Sequence, residues 1–377
     1  MNILITGGPV HAYLDAVKII TNKFKGGLMC ELAELLLYED VTITYLTAKG
    51  SKIPDAMEID DGSKIRKVSA TVIYHDGFED YQKKVLDLAP KFDAVILGAA
   101  VANLIPLHPL KGKFPSHNYK PGDVIPIEFT IAPRIIDEVK KVAPKAHLFG
   151  FKLLSGVPHE ELITAAYGVL LESHATAVFA NDATDLLTKY TVTKERGVHK
   201  MNISDMVKFV KQCVQDTYYH TETVCHAQTL YPQSKVIFDK LATCYASDFP
   251  TTPEGYVFGS IAIRNPDGSF LTTGRGKNEL DDTVTVIDVN QMAHLVMVAG
   301  NKKASLNAPL MDWIFKTNPK VHAIVHTHTI NSSFPTKEYA IPGTVRDSKR
   351  TIASNYSFNI ANHGCFILLD NTLHAIL

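Results

Sequence analysis

Short apolar strands alternate with amphipathic segments through the first half of this chain, and that rhythm constrains the fold more than any single motif. Residues 3–6, 41–46, 71–74, 94–97, 146–151 and 177–180 are apolar runs that read as strands. Segments 27–37, 80–88, 133–142 and 160–172 carry helical periodicity between them, and 204–216 reads as one further helix. Parallel neighbours need a crossover, usually a helix, so strictly alternating strands and helices predict a Rossmann-like, mostly parallel sheet wrapped by helices. Such α/β sheets bind ligands beyond the carboxyl ends of their strands. Glycines and Asn-Asp pairs follow the strands here, at Gly7-Gly8, Gly98 and Asn181-Asp182.

The pattern changes after residue 216. The polar stretch 217–229 reads as a linker, or as the start of the next helix. Beyond it, strands are expected at 255–264, 270–273, 283–288 and 322–329, with the turn Asn265-Pro266-Asp267-Gly268 between two of them and helices at 236–246 and 306–317. This predicts a second α/β domain, richer in antiparallel pairing. A chain of 377 residues suits two domains, and the expected division is 1–216 and 222–377.

Net charge is −1 and no basic run occurs, which argues against a nucleic-acid surface. No apolar stretch is long enough to cross a bilayer, and the N-terminus lacks the features of a signal peptide. The five cysteines are odd in number and scattered, without a CxxC pair. A reducing, cytoplasmic setting with no disulfide framework is expected, and small-molecule substrates rather than nucleic acid or membrane.

The sharpest chemical signal is His326-Thr327-His328, followed by Asn362-His363-Gly364. The run before the pair is apolar and β-branched, so it reads as a strand. Positions i and i+2 share a strand face, which brings the two imidazoles together as ligands of zinc or a similar divalent ion. His363 is a natural third ligand, beside a glycine that lets backbone approach closely; His322 has the same strand parity and rivals it. Three protein ligands leave a position for water or substrate. At the other end of the chain, Gly7-Gly8-Pro9 forms a turn directly after the first strand. Free amides there suit a phosphate, although the GxGxxG spacing of a dinucleotide site is absent.

An ordered train of motifs succeeds that turn: Asp15 to Asn22, Gly26-Gly27, Leu97-Gly98-Ala99-Ala100-Val101-Ala102-Asn103, Gly112-Lys113, Gly150-Phe151-Lys152 and Ala180-Asn181-Asp182. Taken together it resembles phosphopantothenate–cysteine ligase, over roughly residues 1–200. The resemblance implies activation of a carboxylate by CTP or ATP with magnesium, then attack by the cysteine amine. It implies that Asn22 sits against the acyl-nucleotide intermediate and that Ala99 and Ala100 offer backbone near the substrate. Lys113 would lie on a loop closing over the intermediate, while Gly7, Gly8, Phe151, Lys152, Asn181 and Asp182 line the nucleotide pocket. The family usually has an acid where Asn103 stands, one associated with the incoming cysteine. Its Ser-Ser-Gly after the asparagine is here Lys23-Phe24-Lys25-Gly26-Gly27.

Residues 222–377 resemble the class II aldolase/adducin family, through segments 259–264, 271–274, 304–310 and 321–329 and through Asn362-His363-Gly364. The resemblance implies zinc on His326, His328 and His363, and a phosphate on loops bearing Gly259, Ser260, Thr273, Gly274 and Ser305. Family aldolases carry a proton-transferring acid, usually glutamate, where this chain has Asn307, and a neutral amide cannot take a proton at neutral pH. Glu338 is one candidate substitute. The two resemblances leave three readings. One is a ligase-like enzyme in the style of coenzyme A biosynthesis, fused to a zinc-binding aldolase-like domain. Another is a metal-dependent aldolase, epimerase or dehydratase acting on a phosphorylated small molecule. The third is a non-enzymatic scaffold with two degenerate sites. Both families imply a symmetric homo-oligomer.

Overall fold

The computed structural model describes residues 1–39, 41–60, 62, 64–228, 231–349 and 356–370. The chain divides into two compact units. The first comprises Met1–Lys194 and Val198–Val214; the second comprises Glu195–Gly197 and the described residues from Gln215 onward.

The first unit is built on eight strands: β1 (Asn2–Gly7), β2 (Thr42–Ala48), β3 (Thr71–His75), β4 (Ala94–Leu97), β5 (His147–Leu154), β6 (Ala177–Asp182), β7 (Asp185–Thr193) and β8 (Val198–Met201). They lie in the order β8-β7-β6-β5-β4-β1-β2-β3. The six strands from β6 to β3 are mutually parallel, and β7 and β8 continue the sheet antiparallel. Ile3, Leu4 and Ile5 are all fully buried, as expected of a central strand covered on both faces. Helices α1 (Gly27–Tyr38), α2 (Gly77–Leu88), α3 (Ile136–Val142), α4 (His159–Ser173) and α5 (Ile203–Gln215) supply the cover. The rings of Phe149 on β5, Phe179 on β6 and Phe209 on α5 pack with centroids 6.0–6.5 Å apart.

The strand order reverses between β1 and β4, and this is where a doubly wound sheet opens a crevice. Each predicted strand and helix of this half is present, with ends moved by a few residues. The sequence reading did not anticipate the antiparallel strands β7 and β8 or the hairpin Met57–Asp60/Ile65–Val68.

The second unit carries a nine-stranded sheet. Its strands are β9 (His220–Cys225), β10 (Ser260–Arg264), β11 (Phe270–Thr273), β12 (Thr283–Asn290), β13 (Leu295–Ala299), β14 (Val321–Thr327), β15 (Thr336–Lys337), β16 (Phe358–Ile360) and β17 (Gly364–Asp370). The order is β9-β13-β12-β11-β10-β14-β17-β16-β15. Pairing is antiparallel except for the two edge pairs, β9 with β13 and β15 with β16. Helices α6 (Pro232–Cys244), α7 (Ala308–Thr317) and α8 (Val345–Lys349) complete the unit.

Strand alternation divides the core into two layers. Ile324 joins Leu310, Met311 and Ile314 of α7 in one apolar cluster. Its neighbours Ala323 and Val325 join Phe238 and Leu241 of α6 in the other.

One expectation is corrected here. The stretch 217–229 is not a linker or a helix start: His220–Cys225 is an edge strand, and Thr229 lies outside the described residues. Its polar composition misleads because an edge strand keeps most of its side chains in solvent. The strand expected from 255 begins at Ser260.

Gly364 sets the spacing between β14 and β17. A Cβ on it would stand 1.9 Å from the carbonyl oxygen of Thr327, and its φ is +143°. Gly364→Ala should therefore destabilise the protein by about 1–3 kcal/mol, the range for overpacking a tight site. Denaturant unfolding measures this, and an unchanged midpoint would contradict the close approach.

Candidate functional site

His326 on β14, His328 just past its end, and His363 just before β17 form a triangle, with ring centroids 5.0–5.2 Å apart. Glu195 joins them: one ligand atom from each of the four residues lies within 4.8 Å of all the others. Nδ1 of His326 lies 3.0 Å from the carbonyl oxygen of Cys365. A carbonyl can only accept, so Nδ1 donates and Nε2 keeps its lone pair. That Nε2 is 3.2 Å from Nε2 of His363, which is itself 3.2 Å from Oε2 of Glu195. Nε2 of His328 is buried with no hydrogen-bond partner among the described residues.

A proton on Nε2 of His363 could serve one of its two neighbours, but not both, and would leave His328 unserved. One divalent ion among them would answer all four donors. Bonds of about 2.0–2.1 Å in tetrahedral geometry separate donor atoms by roughly 3.3 Å, close to the two 3.2 Å spacings of His363 to His326 and to Glu195. Three imidazoles and a carboxylate are a donor set that suits zinc.

The electrostatics agree. Burial, reinforced by the neighbouring histidines, pushes His326 well below the ordinary histidine value of 6.5 and His328 down to about 4. Both are neutral at neutral pH, the form that binds metal. Burial opposes the charge on Glu195, but its contact with His363 foremost outweighs that and lowers the carboxyl to about 2. The contact between Glu195 and His363 has the proximity of an ion pair but not the angle of a directed hydrogen bond, since Oε2 of Glu195 is without a hydrogen-bond partner among the described residues.

His322 lies outside this cluster. The register of the β14–β17 ladder shifts between Val321 and Ala323, on either side of it. Glu338 is exposed and also outside. Glu195 was invisible in the sequence, where Lys194-Glu195-Arg196-Gly197 reads as a solvated turn. Arg196 secures that turn through a 3.0 Å pair with Glu254.

The loops around the cluster hold further unmet groups. Ser260 is in register with His326 across the β10–β14 pair, and Gly274 bridges to Ala304, next to Ser305. The hydroxyls of Ser260 and Thr273 and Oδ1 of Asn307 are buried without hydrogen-bond partners among the described residues. Asn307 is 2% exposed at the N-terminus of α7. A Cβ on Gly259 would meet the His326 carbonyl oxygen at 2.6 Å. The sequence reading also missed Lys277, which is buried and donates through Nζ to the Gly259 carbonyl at 2.6 Å. Burial pushes this lysine down to about 8 from its ordinary 10.5.

In the first unit, the reversal point gathers backbone rather than charge. Gly7 ends β1, and Gly26, with φ +83°, packs against Gly8 so closely that a Cβ would stand 2.6 Å from the Gly8 amide nitrogen. Gly26 also precedes α1, whose N-terminal amides favour an anion. Beside it, the Ala99 amide donates to Oγ1 of Thr6 at 3.3 Å and the Ala100 amide to the Gly8 carbonyl at 2.9 Å. Nδ2 of Asn22 donates to the Ala100 carbonyl at 3.1 Å. Asn22, Gly8, Ala99 and Ala100 are therefore brought together.

Lys113 and Asn103 are exposed. The segment bearing Lys113 is tied down by Asp15, a buried carboxylate that accepts from the amides of Phe114, Val17 and Lys18 and from the Lys18 ammonium. These bonds, that of Phe114 foremost, hold Asp15 well below the usual carboxylate range. A cavity of about 640 Å³ opens there, lined in part by Lys18, His108, Phe114, Tyr119 and Glu128.

Phe151 packs on Phe179 at 5.2 Å, and Lys152 is half-buried on β5, in register with Ala180. Asn181 is buried. The Asp182 carboxylate accepts from the amides of Gly156 and Val157 and from Thr184. Its negative end is thus engaged in shaping the loop after β5.

Residues 1–196 match the family model described as the DNA/pantothenate metabolism flavoprotein C-terminal domain. The chain belongs to this family. Residues 252–368 match the class II aldolase and adducin N-terminal domain. Two curated relatives of the flavoprotein-type half are coenzyme A biosynthesis bifunctional proteins CoaBC. That of Thermococcus kodakarensis is 28% identical over 48% of this chain and 40% of its own length. That of Methanocaldococcus jannaschii is 24% identical over 56% of this chain and 51% of its own. The chain thus spans about half the length, or less, of these relatives. Among solved structures, the DNA/pantothenate metabolism flavoprotein from Streptococcus pneumoniae is 21% identical. It covers 57% of this chain and 98% of its own, with a TM-score of 0.47. An L-fuculose 1-phosphate aldolase is 19% identical and covers 39% of this chain and 79% of its own, with a TM-score of 0.31.

The flavoprotein-type half thus presents an amide-rich crevice, and the aldolase-type half a cluster of three imidazoles and a carboxylate. Protein purified without chelator should carry about one zinc-like ion per chain. His326→Ala with His328→Ala should abolish it, His363→Ala should weaken it, and His322→Ala should leave it unchanged. Elemental analysis decides, and absence of metal after reconstitution would contradict the arrangement.

Proposed function

We propose that the chain is an enzyme with two small-molecule sites, its ligase-like chemistry within 1–216 and a metal-dependent site on the histidines of 222–377. In the first, CTP or ATP with magnesium activates the carboxylate of phosphopantothenate or a close analogue. The carboxylate oxygen attacks the α-phosphorus and pyrophosphate leaves. An amine then attacks the acyl carbonyl, loses a proton, and releases the nucleoside monophosphate. The observation that carries this reading is the meeting of Gly8, Asn22, Ala99 and Ala100 at the order-reversal point, within a family tied to pantothenate metabolism. Amides can hold developing phosphate and acyl charge without a strong base. Asn22 and Lys113 are the groups assigned to the intermediate. Gly7, Gly8, Phe151, Lys152 and Asn181 are assigned to the nucleotide, with Asp182 shaping the adjacent loop. Asn103 leaves the incoming amine without the family's acid, so its acceptance need not follow cysteine.

In the second site, His326, His328 and His363 hold a zinc-like ion, which when bound polarises a substrate oxygen. Gly259, Ser260, Thr273, Gly274 and Ser305 are assigned to a phosphate; the partnerless hydroxyls of Ser260 and Thr273 support this. Asn307 cannot move a proton. Among the described residues no helix is long and apolar enough to cross a membrane, which accords with a cytoplasmic setting. Exposed Leu104, Leu107, Val124, Ile127 and Ile131 favour burial in a symmetric homo-oligomer.

Calorimetry with CTP and ATP, each with magnesium, and a pyrophosphate-release assay on the whole chain test the first site. One nucleotide should bind, and release should require phosphopantothenate. Lys152→Ala should weaken binding by about 1–3 kcal/mol if the lysine meets phosphate, while Asn22→Ala should slow turnover at nearly unchanged affinity. No binding of either nucleotide to folded protein would reject the reading.

For the second site, retro-aldol cleavage of sugar phosphates should be feeble, because a positioned acid–base group is worth roughly 10²–10⁴-fold. Asn307→Glu should raise it. Robust cleavage by the unaltered chain would show that another residue is the base.

A further inference from the structure

We propose that Glu195 is a fourth ligand of the ion, so that the resting centre is a closed His₃Glu site. This rests on the reading of His326, His328 and His363 as metal ligands. Oε2 of Glu195 lies 3.2 Å from Nε2 of His363, within the spacing of ligands on one tetrahedral ion, and its ligand atom is within 4.8 Å of those of all three histidines. It has no hydrogen-bond partner among the described residues, although it is buried. Its side chain is only 14% exposed, so water does little for its charge.

Two cations are near enough to act on Glu195 through space, Lys277 and Arg275. Nζ of Lys277 is bound to the Gly259 carbonyl, and Nε of Arg275 to that of Ala304. A divalent ion held among the four ligand atoms would bond the Glu195 oxygen that no hydrogen-bond donor among the described residues reaches. Glu195 occupies the position that a three-histidine centre leaves open. A substrate or exogenous anion must displace it to reach the ion.

The test uses the full chain loaded with zinc or cobalt(II). Affinity is read by competition with a chromophoric chelator, and coordination by the visible spectrum of the cobalt form. Glu195→Gln keeps the shape and removes the charge. It should weaken metal binding at least about 10–100-fold, the loss seen when groups supporting a metal are removed, and should change the cobalt spectrum. Glu195→Asp should recover part of that affinity, and it stands in if the glutamine variant fails to fold. Azide should perturb the cobalt spectrum of Glu195→Ala at concentrations that leave the unaltered protein unchanged. If Glu195→Gln binds metal as tightly as the unaltered chain with an unchanged spectrum, or azide reaches both equally, the fourth ligand is refuted while the three-histidine reading stands. If the unaltered chain binds neither metal, both fail together.

Discussion

Three imidazoles and a carboxylate packed around one point leave buried donor atoms, Nε2 of His328 and Oε2 of Glu195, that no hydrogen bond among the described residues meets. The bond from His326 to the Cys365 carbonyl fixes one tautomer and aims Nε2 at His363, 3.2 Å away. Burial keeps His326 and His328 from taking a proton at neutral pH. Much of the second unit serves that geometry. The β14–β17 ladder sets the approach of His326 to His363, and Gly364 permits the contact because a side chain there would collide with the Thr327 carbonyl. The apolar layers on α6 and α7 hold β14 from both faces, which gives the ligands a rigid base.

The first unit solves a different problem by different means. Its crevice uses backbone amides and glycine-permitted approach, not charged side chains. Gly8 and Gly26 pack main chain on main chain, and Asn22 is held against Ala100. Asp15 stabilises the segment that carries Lys113 through several amide bonds instead of meeting a ligand itself. The unit thus pairs a backbone-built crevice with a tied-down segment bearing the exposed Lys113.

The legible parts of the sequence were those whose physics is local. Strand parity placed His326 and His328 together, and a neighbouring glycine pointed to His363. The apolar runs of the parallel sheet were readable because a strand covered on both faces is continuously hydrophobic, as Ile3, Leu4 and Ile5 are. The illegible parts depend on distant contacts or on polar strands. Glu195 sits in a Lys-Glu-Arg-Gly turn with no local sign of burial, and Lys277 looks like any surface lysine until the Gly259 carbonyl is placed above it. His220–Cys225 reads as a linker because an edge strand needs few apolar side chains. Asp182 has the right neighbourhood for a nucleotide residue, yet its oxygens are taken by Gly156, Val157 and Thr184, which sequence order cannot reveal.

The central claim is that these four side chains converge on one ion. Anomalous diffraction at the zinc edge, from crystals of zinc-loaded protein, tests it most directly. The account predicts one strong peak about 2.0–2.2 Å from nitrogens of His326, His328 and His363 and from a carboxylate oxygen of Glu195. A peak at cysteine sulfur, a peak outside this cluster, or no peak in fully loaded crystals would contradict it.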